Sequence, residues 1–345
     1  MIKRKRYTRF TLTEYVVFTL LLIVAFFLSV CVGSVGISLK DTLNSITCYM
    51  TGAESGNAMV DAIILSVRIP RAICVGLSGA ALAICGAAMQ GLLKNPLADG
   101  STLGVTAGAS LGAVTAIAFG TFLPFIGNGS IMVSSILFAF ASLVLILTMA
   151  YTLDRSLSTN TIILIGVIFS MFANSLISLA VTFAGDKVKS IMFWTMGSLA
   201  GTGYKEALYL FLALAICGGV ILSRWRELDA FAVGEDNARN IGVDVKNTKL
   251  IILITVSVLI GVCVSIGGTI GFVGLVIPHM VRMVSGPEHA KLLPGCMFAG
   301  AIFLMLMDLL SRLLLNPIEL PIGVVTSFIG SFVFIYIFYS SRKVR

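Results

Sequence analysis

Residues 68–94 read RIPRAICVGLSGAALAICGAAMQGLLK. Two arginines frame an Ile-Pro pair. A run of 22 residues from Ala72 to Leu93 then carries no Asp, Glu, Lys, Arg or His, and Lys94 closes the stretch. A helix needs about 20 predominantly apolar residues to cross a hydrocarbon core of ~30 Å. The run over 70–93 therefore predicts a membrane-crossing helix with cations at its ends. Outward from it, comparable runs lie near 15–35, 101–119, 131–150, 160–184, 204–222, 250–268, 271–286, 294–312 and 321–340, which makes ten. The expected fold class is all-α: a polytopic membrane protein with ten transmembrane helices. The run at 271–286 is short, and the stretch SIGGTIGFVGLVIPH at 265–279 is glycine-rich. Such backbone is tolerated at membrane depth only when packed in protein or lining a cavity.

Composition agrees. The chain is 58% hydrophobic and 12% charged, with a mean hydropathy of +1.03; soluble domains average about 45–50% apolar and about 25% charged. No polar stretch is long enough to bury a core of its own, so residues 1–345 are read as a single membrane domain. The 34 glycines suit helices that pack closely in lipid. The basic start and first apolar run resemble a signal peptide, but the run from Tyr15 to Val35 is too long for a cleaved one and reads as a retained helix. Seven scattered cysteines, with no CxxC, read as small buried hydrophobes.

Charge sets the topology. Both termini are basic, KRKRYTR at 3–9 and SRKVR at 341–345, and the positive-inside tendency puts both in the cytoplasm. Ten helices satisfy that. The inner segments then hold 17 of the 24 Lys and Arg residues, and the outer side keeps Lys40, Arg68, Arg71, Lys187, Lys189, Lys205 and Arg312. The outer stretch 36–67 is expected to include a short interfacial helix. The two arginines of RIPR are thus minority residues that need a reason.

The longest inner loop covers 223–249. Within it, GEDNARNIGV reads as a short helix: Gly234 precedes it, Glu235 and Asp236 complement the dipole of its first turn, and Gly242 ends it. Ala238 and Ile241 are expected to share a face. Two turns of helix are unstable in isolation, so it packs either on the bundle's own inner surface or in a groove of a cytoplasmic partner.

Four stretches resemble the permease subunits of bacterial ATP-binding-cassette importers for iron–siderophore complexes, haem and cobalamin. They are residues 68–112, the GEDNARNIGV segment at 234–243, GFVGLVIPHMVRMVSGPEHAKLLPG at 271–295 and DLLSRLLLNPIELPIGVVTSFIGSFVFIYI at 308–337. The resemblance runs from about residue 60 to the C-terminus. It implies a homodimer of ten-helix subunits in the bacterial cytoplasmic membrane, two copies of a separate ATPase below, and a substrate-binding protein above. It implies that Arg68, Arg71 and Arg312 face outward and pair with acidic residues of the binding protein. It places ATPase coupling on Gly234, Glu235, Asp236, Ala238, Arg239 and Gly242, and the cytoplasmic gate at Asn95, Pro96, Leu97, Ser158 and Thr159. The Gly-Glu-Asp-Asn start of the inner helix departs from the family's usual wording.

The residue chemistry is compatible with this. Arginine pairs bidentately with carboxylates. Pro70 suits the first turn of the second helix and favours an extended approach at Ile69. Arg312 follows Asp308 by four residues, so an i,i+4 pair can form. The competing reading is that all three are snorkelling or locally paired cations at helix ends.

Other chemistry finds little support. No GxxxxGK[ST] loop is present, so ATP and magnesium belong to a partner chain and this one is not expected to be an enzyme or to hold a cofactor. No nucleophile triad or metal-ligand spacing appears; His279 reads as a hydrogen-bonded histidine near a proline kink, and no nucleic-acid partner is expected. An ion-coupled secondary transporter is the alternative. It would need intramembrane acids, and Asp308 is the main one. A membrane-embedded enzyme ranks third, for want of convergent polar groups. The cargo reads as an iron–siderophore complex, with haem and cobalamin the alternatives, and iron–siderophore is preferred on family frequency alone.

Overall fold

The computed structural model describes residues 10–33, 35–52, 57–100, 102–120, 130–155 and 157–343. Among them every regular element is helical. Helix α1 (Leu12–Cys31) opens on a capping box in which Thr11 N donates to Glu14 Oε2 at 2.7 Å. Helix α2 (Leu39–Thr51) starts at Ser38, whose Oγ accepts from Asp41 N, and ends at left-handed Gly52. It is the short helix expected within 36–67.

Helix α3 (Ala58–Leu92) is 35 residues long and runs straight through RIPR. The extended approach expected at Ile69 is absent, since Ile69 is helical at φ −63°, ψ −53°. The reason is a π-turn over Ile64–Arg68, in which Ile69 N bonds Ile64 O. A proline in a regular helix clashes with the carbonyl four residues back; the widened turn moves that carbonyl aside. The helix therefore begins ten residues before Arg68, about 15 Å earlier, and both arginines lie within the bundle instead of at its tip.

The chain continues through α4 (Val105–Phe119), α5 (Ser130–Leu153), α6 (Thr159–Thr182), the short α7 (Val188–Thr195), α8 (Tyr204–Ser223), α9 (Trp225–Val233), α10 (Glu235–Asn240), α11 (Val245–Gly267), α12 (Val273–Ser285), α13 (His289–Leu313) and α14 (Ile322–Lys343). Seven helices among the described residues are long and apolar enough to cross a membrane, and three shorter apolar ones, α4, α12 and the Ile322–Ile337 part of α14, accompany them.

Helix α3 is the axis of the molecule, buried over most of its length and packed on α13, α12, α11 and α8. Its glycines allow this. A Cβ at Gly79 would overlap the Gly300 carbonyl of α13, and one at Gly86 would overlap the Gly274 carbonyl of α12. In lipid, where hydrophobic pressure between helices is weak, such backbone contact is a main source of association. Helix α4 is buried against α5 and α6, and α11 joins that group to α3. Large apolar side chains of α1, α5, α6 and α14 face outward, Leu20, Phe140, Phe172 and Phe328 among them.

The bundle has two ends. One holds Arg68, Arg71 and Arg312; the other holds Lys94 and the 223–249 loop. Glu14 of α1 pairs with Lys291 at 3.4 Å beside the start of α13, and α14 runs back from near Glu319, which pairs with Arg71. The described chain termini thus lie together at the loop end. The cations Lys3, Arg4, Lys5, Arg6, Arg9 and Arg345, used above to orient the chain, lie outside the described residues.

Gly86→Leu is expected to force α3 off α12 and to abolish monodisperse protein in detergent, a cost above the roughly 1–3 kcal/mol of ordinary overpacking. Gly219→Leu, where no atom stands within 4 Å, should leave the size-exclusion profile unchanged.

Candidate functional site

At the arginine end the three cations do not form an outward patch. Arg68 is 6% exposed and Arg312 4%. Arg68 donates to Val30 O at 3.0 Å, to Cys31 O at 2.9 Å, and to Val35 O. Arg312 donates to Ser29 O at 2.9 Å and Val32 O at 2.9 Å. All of these acceptors but Val35 O belong to the end and cap of α1. A helix leaves its last carbonyls without intrahelical donors, and α1 has no cation in its own last turn; two arginines from α3 and α13 supply the donors and oppose the dipole. Arg71 meets Asp308 at 2.9 Å and Glu319 at 2.8 Å, and the i,i+4 partner Arg312 reaches Asp308 Oδ2 at 3.1 Å. Burial requires this arrangement, because an unpaired guanidinium or carboxylate in an apolar interior is prohibitively costly. In this structure the three arginines expected to face outward are largely buried: Arg71 and Arg312 are paired with carboxylates, and Arg68 is bound to backbone carbonyls at and beyond the end of α1.

At the loop end, α10 matches its expected bounds. Gly242 has φ +90°, and Val243 N bonds Ala238 O while Gly242 N bonds Arg239 O, both at 3.0 Å, which is the Schellman pattern. Ala238 and Ile241 do not share a face: Ala238 is fully buried, whereas Ile241 is 72% exposed, because Ile241 has already left the helix at its cap. Ala238 therefore seats the helix on the bundle, and Asp236, Arg239 and Gly242 stay exposed.

This loop is tied to both expected gate segments. Lys249, fully buried, donates to Glu235 Oε2 at 2.7 Å and to Leu157 O at 2.8 Å. Lys94 Nζ donates to Val233 O at 2.8 Å. Leu157 and Lys94 are non-glycine residues at φ +53° and +48°, a conformation costing an L-residue about 1–2 kcal/mol. Each immediately precedes an expected gate segment. Asn95 begins an Asx-turn, its Oδ1 accepting from Leu97 N at 2.9 Å, with Pro96 and Leu97 exposed. Ser158 caps α6 by accepting from Thr161 N, and Thr159 is the first helical residue.

Between the two ends lies a cavity of about 660 Å³ whose wall includes Asp99, Thr106, Ile260, Phe272 and Ser327. Thr269 to Phe272 form part of that wall and Gly268 packs against the Trp194 carbonyl, so the glycine-rich stretch meets both conditions expected of it, packed in protein and lining a cavity. Phe272 there is the remaining non-glycine residue at positive φ among the described residues, at +67°.

Sequence reasoning missed Lys94 and Lys249, which entered only as inner charges, and Glu319. It also missed Asp229, which accepts from the backbone N of His289 at 2.8 Å and contacts its Nδ1 at 2.7 Å. The signal for Lys249 was its place early in α11, next to a wholly apolar run. His279 departs from expectation, since its buried Nδ1 has no hydrogen-bond partner. The cysteines are free, five of them buried.

The model of the FecCD transport family matches residues 21–340. The uncharacterized ABC transporter permease protein YvrB of Bacillus subtilis (strain 168) is 41% identical over 339 residues, 96% of each chain. The vitamin B12 import system permease protein BtuC of Citrobacter koseri is 34% identical over 327 residues, 94% of this chain and 93% of its own. A solved transporter described as of metal-chelate ABC type, in an inward-facing conformation, superposes with a TM-score of 0.84 at 31% identity, covering 95% of this chain and 99% of that one.

Asp308→Asn is expected to leave Arg71 and Arg312 facing each other without their shared anion. Unfolding in detergent, followed by scanning fluorimetry, should show a loss of about 3–5 kcal/mol, the range for a buried pair stripped of one member. Arg68→Met should fray α1 and raise maleimide labelling of Cys31; unchanged labelling would refute the capping role.

Proposed function

The chain belongs to the FecCD transport family, and from that premise we propose that it is the membrane-spanning subunit of an importer that moves a bulky metal chelate, driven by a separate ATPase. Its place as an ABC importer permease of the FecCD and BtuC type, in the multi-pass membrane class, follows from the family. Our reading adds the mechanism. Ten crossings are made by the seven long spans and three shorter apolar helices, with the loop end and both termini in the cytoplasm. Two copies pair around the pathway. Two ATPase subunits, holding ATP and magnesium, sit below, and a binding protein delivers cargo above.

The observation that carries this reading is the anchoring of α10. A short helix with Asp236 and Arg239 exposed is fastened through Glu235, Lys249 and Leu157 O to the start of α6, and through Val233 O to Lys94. A partner that gripped α10 would thereby pull on Asn95–Leu97 and on Ser158–Thr159, the proposed gate. Closure of the ATPases on ATP would move α10, and the pathway would alternate between outward and inward access. On the outer side the arginines serve docking indirectly: they hold the end of α1 against α3 and α13, beneath the surface on which a binding protein would rest.

The cargo class is an iron–siderophore complex, haem or cobalamin. The BtuC relatives lend weight to cobalamin, and the solved neighbour lends weight to a metal chelate. Ion-coupled transport is the weaker reading, because Asp308, the acid it would use, is held between Arg71 and Arg312.

Reconstituted with its ATPase and binding protein, the wild type is expected to import one of these chelates only with ATP; uptake that persists under complete ATP depletion with a proton gradient would sink the proposal. Lys249→Met should leave ATPase co-purification intact while cutting uptake about tenfold or more, a coupling loss of roughly 1.4 kcal/mol. Arg239→Glu should instead weaken ATPase co-purification itself.

A further inference from the structure

Helix α12 carries a proline in its interior. Pro278 has no N–H, so the carbonyl four residues back, Gly274 O, loses the donor that a regular helix would supply. At membrane depth a neighbour has to supply one. Gln90 of α3 does so: its Nε2 donates to Gly274 O and to Leu275 O, each at 3.2 Å. Its Oε1 accepts from Arg282 Nη1 at 3.1 Å, about two turns further along α12. A carbonyl only accepts and a guanidinium only donates, so these three contacts fix which way the amide lies. Gln90 is 4% exposed. One buried side chain of α3 thus grips α12 on both sides of its proline.

The grip stands between two features already described. Four residues after Gln90, Lys94 Nζ holds Val233 O at the end of α9, just before α10. One turn the other way, Gly86 packs on Gly274 with no room for a Cβ. Gly274 and Leu275, whose carbonyls Gln90 holds, belong to the wall of the 660 Å³ cavity. A continuous set of bonds therefore runs from the loop beside α10, through the last turn of α3, to the cavity wall. The Gly86–Gly274 contact cannot carry a pull by itself, because a van der Waals contact resists approach and little else. Hydrogen bonds weaken steeply with distance and angle, so the Gln90 amide resists separation and sliding as well.

We propose that Gln90 is a positioning residue for transport: it makes α12 follow the inner end of α3, and so passes movement of the loop beside α10 to the wall of the cavity. The inference rests on the importer reading above and extends it from the proposed gate to the wall of the pathway. The competing role is purely structural, in which Gln90 only satisfies the carbonyl that Pro278 frees. Pro278→Ala separates the two. An alanine at 278 returns the N–H that Gly274 O lacks, yet makes no tie to α3.

The test uses the full chain in complex with its ATPase. It reads the rate at which a small methanethiosulfonate modifies Ser327→Cys, on the α14 part of the cavity wall, followed by mass spectrometry of that peptide. With native Gln90, ATP and vanadate are expected to change the rate about tenfold, within the usual range of coupling between sites. Gln90→Met and Gln90→Glu should each cut the change below about twofold while ATPase co-purification persists. Gln90→Met should also lower the melting temperature. Adding Pro278→Ala to it should restore the melting temperature but not the response to ATP. A double variant that regains the response overturns the proposal, because Gln90 then serves only as a donor to Gly274 O; a full response in folded Gln90→Met overturns it too. Where Gln90→Met fails to fold, Gln90→Glu, which keeps an acceptor for Arg282, carries the test. A complex with native Gln90 whose rate ignores ATP sinks the importer mechanism and this inference with it, whereas a response that survives the loss of Gln90 sinks this inference alone.

Discussion

A carbonyl at the end of a helix has no donor of its own, and a bilayer has no water to supply one. Helix α1 ends against α3 and α13 with Ser29, Val30, Cys31 and Val32 carbonyls in that position, and the arginine end is built around satisfying them. Arginine suits this task because its fork serves two or three acceptors at once and stays charged when buried. Bringing two guanidiniums to one helix end sets a second requirement, for negative charge close by. Asp308, fully buried, answers it between Arg71 and Arg312, and Glu319 adds a further carboxylate on Arg71. The cluster couples α1, α3, α13 and the loop before α14. It is a structural fastener, and its members have little exposed surface to offer a partner.

The loop end solves the same problem with lysines and to a different mechanical effect. Lys249 is buried, yet it binds a carboxylate on α10 and a carbonyl next to α6, so one ammonium spans two segments of the chain. Lys94 reaches the carbonyl just before Gly234. A compact ammonium on a flexible stem tolerates shifts in angle that a planar fork does not. Arginines thus hold the outer end, and lysines hold the end on which the ATPases would act in the proposed mechanism. Leu157 and Lys94, in strained backbone, stand where the moving loop meets the two turns. Strain of this kind persists only where the surroundings over-determine it.

The sequence made the helices legible because membrane spans announce themselves by length and apolarity, and α10 because glycines and acids mark its ends. The family resemblance located the segments that matter. What stayed hidden was direction. Nothing in RIPR says that the helix starts ten residues earlier, since the π-turn that lets it pass Pro70 has no composition of its own. That single feature moved Arg68 and Arg71 from an outer rim into the interior. Asp308 and Arg312 were paired correctly from spacing, whereas Glu319 and the α1 carbonyls lie far away in sequence and only the fold joins them. Ala238 was misjudged for a related reason: spacing of three predicts a shared face only while the helix continues, and it stops at Asn240.

The glycine contacts bear on where a cargo can pass. Between α3 and α13 at Gly79–Gly300, and between α3 and α12 at Gly86–Gly274, backbone meets backbone with no room even for a methyl group. Opening a passage there would sacrifice the tightest packing in the molecule, and packed interfaces of this kind yield as rigid bodies or not at all. The segment 268–272 makes no helix, carries Phe272 in a left-handed conformation and borders the 660 Å³ cavity through Thr269 to Phe272. It is pinned in the same way on its other side, where a Cβ at Gly268 would overlap the Trp194 carbonyl and one at Gly197 the Thr269 carbonyl. The proposed pathway borders this cavity, to whose wall α3 contributes Leu82 and α12 contributes Gly274 and Leu275.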